Sequence, residues 1–172
     1  VDSGESITEV GGGGTDVVAI VTSTDFSLMT DASFDEIEQI RFAGANKTGT
    51  FTGAQFTGET LALTETSAGT SNLVINVASG TTATFTNLTA GSGFTNGSDT
   101  ITINGVGGDE NIIGPNLVTA INGGSGDDTF NVDAGSDTIT DLSNGDDLIV
   151  TSGATATAND VSAFVADSDT TN

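Results

Sequence analysis

The sequence predicts an all-β protein, with a parallel β-roll or β-solenoid in its C-terminal half and a further β-rich N-terminal half. Three observations predict this. Apolar residues fall in short alternating runs rather than helical stripes. Gly, Asn, Asp and Ser punctuate the runs. From residue 85 an apolar side chain returns every nine positions.

Residues 1–15 contain Gly11-Gly12-Gly13-Gly14 and read as a flexible lead-in. Residues 16–95 form the β-rich N-terminal part. Val17 to Val21 is a buried strand. Ser33-Phe34-Asp35-Glu36 has the form of a capping box and predicts a helical turn. A strand follows over Gln39 to Phe42. Thr60 to Thr64, Asn72 to Val77 and Thr82 to Thr86 alternate polar and apolar residues, the period of half-buried strands. Threonine suits their outer face because its β-branch fits a pleated surface. Phe42, Phe51, Leu61 or Leu63, Leu73 or Ile75, and Phe85 advance by about ten, which admits either a solenoid continuous with the C-terminal half or a separate antiparallel sandwich.

Charge narrows the function classes. The 172 residues carry 24 acidic and two basic side chains, Arg41 and Lys47, for a net charge of −22. Such a chain repels nucleic acid and anionic lipid, and it repels itself when compact. The two cations read as local partners of nearby acids or as contacts to an acidic neighbour. The remaining carboxylates need another neutralising source, and metal cations supply one. No apolar run is long enough to span a membrane. With no His and no Cys, imidazole acid–base chemistry, thiol nucleophiles and the common zinc sets are excluded, so the chain is not expected to be an enzyme.

The nine-residue register runs through Phe85, Phe94, Ile103, Ile112, Ile121, Phe130, Ile139 and Leu148, with Ile101 competing with Ile103. Within it, Gly123-Gly124-Ser125-Gly126-Asp127-Asp128-Thr129-Phe130-Asn131 fills every defined position of G-G-x-G-x-D-x-U-x, where U is a large apolar residue. Val132 to Thr140 keeps Gly135, Asp137 and Ile139. Asp141 to Ile149 keeps Asp146 and Leu148, with Asn144 in place of glycine. Gly108, Glu110 and Ile112 hold the upstream slots. Gly97 to Ile101 is a further copy, two residues out of register.

These residues resemble the RTX, or haemolysin-type calcium-binding, repeat family, most specifically over 123–149 and more weakly over 97–122. The resemblance implies a calcium-binding β-roll over 96–151, with two nonapeptides per coil. Glycines let the backbone pass close to an ion, and carboxylate and turn oxygens are the hard donors Ca²⁺ prefers. The implied metal residues are Gly108, Glu110, Gly124, Gly126, Asp128, Gly135, Asp137, Asn144 and Asp146, with Asp99, Asp109, Asp127 and Asp147 as secondary candidates. Eighteen residues per coil would place Glu110, Asp128 and Asp146 on one edge. Asp137 falls on the other, opposite Thr119, which is not acidic, so that edge is expected to be incomplete.

Residues 152–172 read as a C-terminal cap or a linker, with a short amphipathic helix over Asn159 to Ala166. Together with the resemblance, the acidic, Cys-free composition implies a secreted bacterial protein of the cell surface or extracellular space. The first functional expectation is a calcium-stabilised structural subunit that self-associates into a filament or S-layer-like sheet. The second is a module of a larger type I-secreted adhesin or exoprotein. The third is an ice or carbohydrate binder using flat threonine arrays, for which Thr82, Thr84 and Thr86 form one short row. A cell-surface polysaccharide is a further candidate partner.

Overall fold

A computed structural model describes residues 13–164, 170 and 171. The described residues form fifteen strands and one short 3-10 turn. The strands are β1 (Val17–Ile20), β2 (Thr24–Asp25), β3 (Gln39–Phe42), β4 (Thr48–Thr52), β5 (Leu61–Glu65), β6 (Asn72–Val77), β7 (Thr82–Thr84), β8 (Leu88–Ala90), β9 (Thr100–Gly105), β10 (Asn111–Ile113), β11 (Val118–Asn122), β12 (Thr129–Val132), β13 (Ser136–Ile139), β14 (Asp147–Val150) and β15 (Thr155–Ala158). Every pairing between these strands is parallel. The chain is a parallel β-solenoid from its first described strand, and the antiparallel-sandwich alternative for the N-terminal half does not occur.

The strands stack into three faces. The first is β1-β3-β5-β8. The second, β15-β13-β11-β9-β6-β4-β2, runs the whole length. The third is β14-β12-β10-β7. In the N-terminal coils the chain visits the first face, the second face and then a third side. Register partners there lie 22 residues apart (Val17 and Gln39) to 29 apart (Thr82 and Asn111). After β10 the first face is dropped. The chain then shuttles between the second and third faces with partners 18 residues apart, as Asn111 is from Thr129 and Val118 from Ser136. The last pairing, Ser136 with Thr155, is one residue longer. A three-sided helix thus narrows to a two-sided roll where the acidic repeat begins.

The core follows the change in cross-section. Phe26, Phe34, Phe42, Phe51, Phe56, Phe85 and Phe94 are buried in the wide part, and Phe51 packs on three other rings at centroid distances of 4.8–5.6 Å. In the narrow part Ile103, Ile121 and Ile139 stack beneath the second face, while Ile112, Phe130 and Leu148 stack beneath the third. Ile101 is also buried, in register with Leu73, so both members of the competing pair face inward.

Two local expectations are corrected. The helical turn is Asp31–Ser33, with Phe34 closing it through an N–H bond to the Asp31 carbonyl, so Ser33 does not open a capping box. Phe26, Met29, Phe34 and Ile37 must all turn inward to close the end of the core, and a turn at 31–33 allows this. Gln55 holds this closure in place. It is fully buried, donates to the carbonyls of Phe26 and Met29 at 3.0 Å each, and accepts the Thr52 N–H at 2.8 Å. At the other end no helix forms over 159–164. Asp160 and Ala163 have positive φ, Ser162 bridges to Ser143, and Phe164 packs against the core. Residues 165 and 166 of the expected helix, and most of the lead-in, lie outside the described residues. Among those described, no helix is long and apolar enough to cross a membrane.

Candidate metal centre

The nonapeptide turns stack at the corner where the chain passes from the second face to the third. Segments 105–110, 123–128 and 141–146 lie one above another, each followed by a strand of the third face. Gly108 donates its N–H to the Ser125 carbonyl at 2.5 Å. The stacking is close enough to require glycine. A Cβ on Gly126 (φ +135°) would collide with the Gly108 carbonyl, and one on Gly105 would sit 2.5 Å from Glu110 Oε2.

Glu110, Asp128 and Asp146 form a ladder along this corner, as their spacing predicts. Asp128 Oδ1 accepts the Glu110 N–H at 2.8 Å, and Asp146 Oδ1 accepts the Asp128 N–H at 3.0 Å. Glu110 Oε1 accepts the Gly80 N–H at 2.8 Å. Each carboxylate therefore reaches back one coil. Asp146 also closes its own turn, its Oδ2 accepting the Ser143 N–H at 2.6 Å. All three acids are buried, and Glu110 Oε2 has no hydrogen-bond partner. Burial raises the Asp128 carboxyl to about 6. The Glu110 N–H bond works against this, and the neighbouring charges of Glu110, Asp146 and Asp141 add to it.

The ladder repeats outside the nonapeptides. Asp99 Oδ1 accepts the Ser71 N–H at 2.8 Å from the coil before, and its Oδ2 accepts the Thr95 N–H at 2.5 Å. Glu65, also buried, accepts the Ser71 hydroxyl at 2.7 Å. Asp109 accepts the Asp127 N–H at 3.0 Å on the exposed rim. Asn144 is exposed in the 141–146 turn, and Asp147 opens β14.

Asp137 stands apart on the second face, at the second position of β13, with Thr119 as its register partner. It is 2% exposed, and neither carboxylate oxygen has a hydrogen-bond partner. The Thr119 hydroxyl is buried and unpartnered as well. Burial lifts the Asp137 carboxyl to about 7, with the nearby Thr119 hydroxyl and backbone pulling the other way. Gly114 leaves room for this side chain, since a Cβ there would lie 2.6 Å from Asp137 Oδ2. Gly135 sits against the backbone of Leu117, away from the Glu110 corner.

One contributor was missed in the sequence. Asp141 accepts the N–H groups of Gly123 and Gly124 at 2.9 and 2.7 Å and clamps the best-matching turn from the next coil. Its signal was available, because Asp141 replaces the first glycine of its nonapeptide. Among the described residues no three acidic side chains converge on one point. Comparison with protein-family models, curated proteins and solved structures returns no match to this chain. The fold defines its class as a parallel β-solenoid, and the likeness to the calcium-binding repeat rests on the residues themselves.

Proposed function

We propose that this chain is a secreted, calcium-stabilised structural solenoid that serves as a subunit of an extracellular filament or S-layer-like assembly. The observation that carries the calcium reading is the set of buried carboxylate oxygens without partners, on Glu110 and Asp137. An uncompensated buried carboxylate is costly, and such groups are normally paired or metal-bound. Beyond residue 47 the chain has no basic side chain to pair with them. The donors are hard oxygens beside close-packed glycine turns, which fits Ca²⁺. Glu110 and Asp137 would each supply a carboxylate, with turn carbonyls and water completing the shell. Asp128 and Asp146, already bonded to backbone N–H groups, would orient the corner. Bound calcium would neutralise buried charge and favour the folded chain over the unfolded one.

The structural role is supported by the long, regular stack and by a composition without imidazole or thiol groups. The test is chemical denaturation of chelator-stripped protein against calcium and magnesium, with calorimetric titration in parallel. The expected result is a midpoint that rises with calcium and saturates, with magnesium far weaker. A midpoint indifferent to millimolar calcium, with no binding heat, would refute the calcium reading.

A further inference from the structure

We infer that the outer surface of the second face is a self-association surface, packing face to face with the same surface of a second copy. The inference rests on the reading of the chain as an assembling structural protein and names one contact of that assembly. Three rows of outward side chains cross the coils here. Thr50, Val74, Thr102, Ala120, Thr138 and Thr157 align in register as the middle row. In a chain of net charge −22, no outward position of β4, β6, β9, β11, β13 or β15 is charged; exposed Asp25 of β2, in register with Thr50, heads the row at its N-terminal end and lies outside the six-strand contact.

Burying such a face costs less because most of its flanking polar side chains, the asparagines above all, are already paired. On one side Asn72 donates to the Thr48 hydroxyl at 3.4 Å, and the Thr100 hydroxyl donates to Asn72 at 2.5 Å. On the other, Asn104 donates to Asn76 and Asn122 to the Thr140 hydroxyl, each at 3.3 Å. The middle row between them is methyl-rich. A satisfied polar group costs far less to bury than an unpaired one.

Relief on the face points to a second copy. Val118 stands out from it, 43% exposed, and forms one wall of a shallow groove that Ala120, Thr100, Thr102 and Thr138 also line. A two-fold axis between these positions seats each copy's Val118 in the other's groove, the reciprocal contact of a two-fold interface. The face lacks aromatic rings on which a sugar would stack. Six strands about 4.8 Å apart and about 17 Å long give a footprint of roughly 500 Å² per copy, or about 1,000 Å² in all. That lies at the lower limit of a specific interface, so the pair is weak, and salt strengthens it by screening the two acidic bodies.

The test is sedimentation equilibrium of the full chain in calcium at low and high salt, comparing wild type, Ala120→Asp and Thr82→Asp. Thr82→Asp places the same charge on the third face. Circular dichroism and thermal midpoints check that each variant folds. We expect wild-type dimers that tighten with salt, weakening by about tenfold or more in Ala120→Asp and unchanged in Thr82→Asp. A monomer at every concentration and salt overturns the inference, as does capture of the monomer by an ice surface or a neutral polysaccharide through this face. Association that ignores Ala120→Asp overturns it too, but leaves the assembling role intact with its contact elsewhere. Dimerisation without calcium binding would sink the calcium reading alone.

Discussion

Replacing Asp137 by asparagine should stabilise the protein when metal is absent. The carboxyl sits 2% exposed with both oxygens unpartnered, and burial raises it from 3.8 to about 7. A group held above its unfolded value favours the fold when protonated. That stability is complete below about pH 4 and is lost as pH rises through about 7. At 1.36 kcal/mol per tenfold change in acidity, the ionised group costs at most about 4 kcal/mol at pH 8. Discounting for residual solvent screening leaves about 2–3 kcal/mol. The introduced amide brings two N–H donors, for which the unpartnered Thr119 hydroxyl is one acceptor, and the other gives back about 1 kcal/mol. The net expectation is a gain of about 1–2 kcal/mol at pH 8 in chelator, vanishing or reversing at pH 4. Urea denaturation at the two pH values measures it. In saturating calcium the order should invert, because a neutral amide is a poorer ligand for Ca²⁺ than the carboxylate it replaces. A variant no more stable than wild type at pH 8 in chelator would refute the claim that an uncompensated charge is buried there.

The chelated wild type should itself gain stability from pH 8 down to pH 5, because Asp128 and Asp137 both take up protons over that range; a flat or falling profile would count against the raised values. Gln55→Leu should cost about 2–4 kcal/mol by leaving the Thr52 N–H and Met29 carbonyl unpaired, and hydrogen exchange should show faster exchange at Thr52 with the nonapeptide coils unaffected. Gly126→Ala should cost about 3 kcal/mol or more, since it adds a collision with the Gly108 carbonyl to a strained φ; a thermal midpoint within a degree of wild type would contradict the close stacking of the two turns.

Much of the fold could be read directly. The nine-residue register placed Ile103, Ile112, Ile121, Phe130 and Ile139 in the core, because one apolar residue per short strand must point inward whatever the coil's shape. The strands at Gln39–Phe42 and Asn72–Val77 appeared as expected, since strict alternation has only one burial solution. The ladder of Glu110, Asp128 and Asp146 followed from a coil of two nonapeptides. The threonine rows did not emerge. Their members sit 24, 28 and then 18 residues apart, as in Thr50 to Val74, Val74 to Thr102 and Thr102 to Ala120, so no single period reveals them.

The sequence by itself determined that the chain is β-rich, that its interior is aliphatic and aromatic with no imidazole or thiol chemistry, and that its acids recur at the starts of strands. Those properties are local, set by alternation, turn residues and charge. The tertiary structure alone decided that the N-terminal half is three-sided, that the first face ends after β8, and which carboxylates find backbone donors. Asp99, Asp141 and Asp146 have both oxygens occupied, whereas Asp137 has neither. The reason is physical. A carboxylate's partner here is mostly an N–H group one coil away, and which N–H arrives there depends on the length of the intervening coil, a quantity that only closure around a shared core sets.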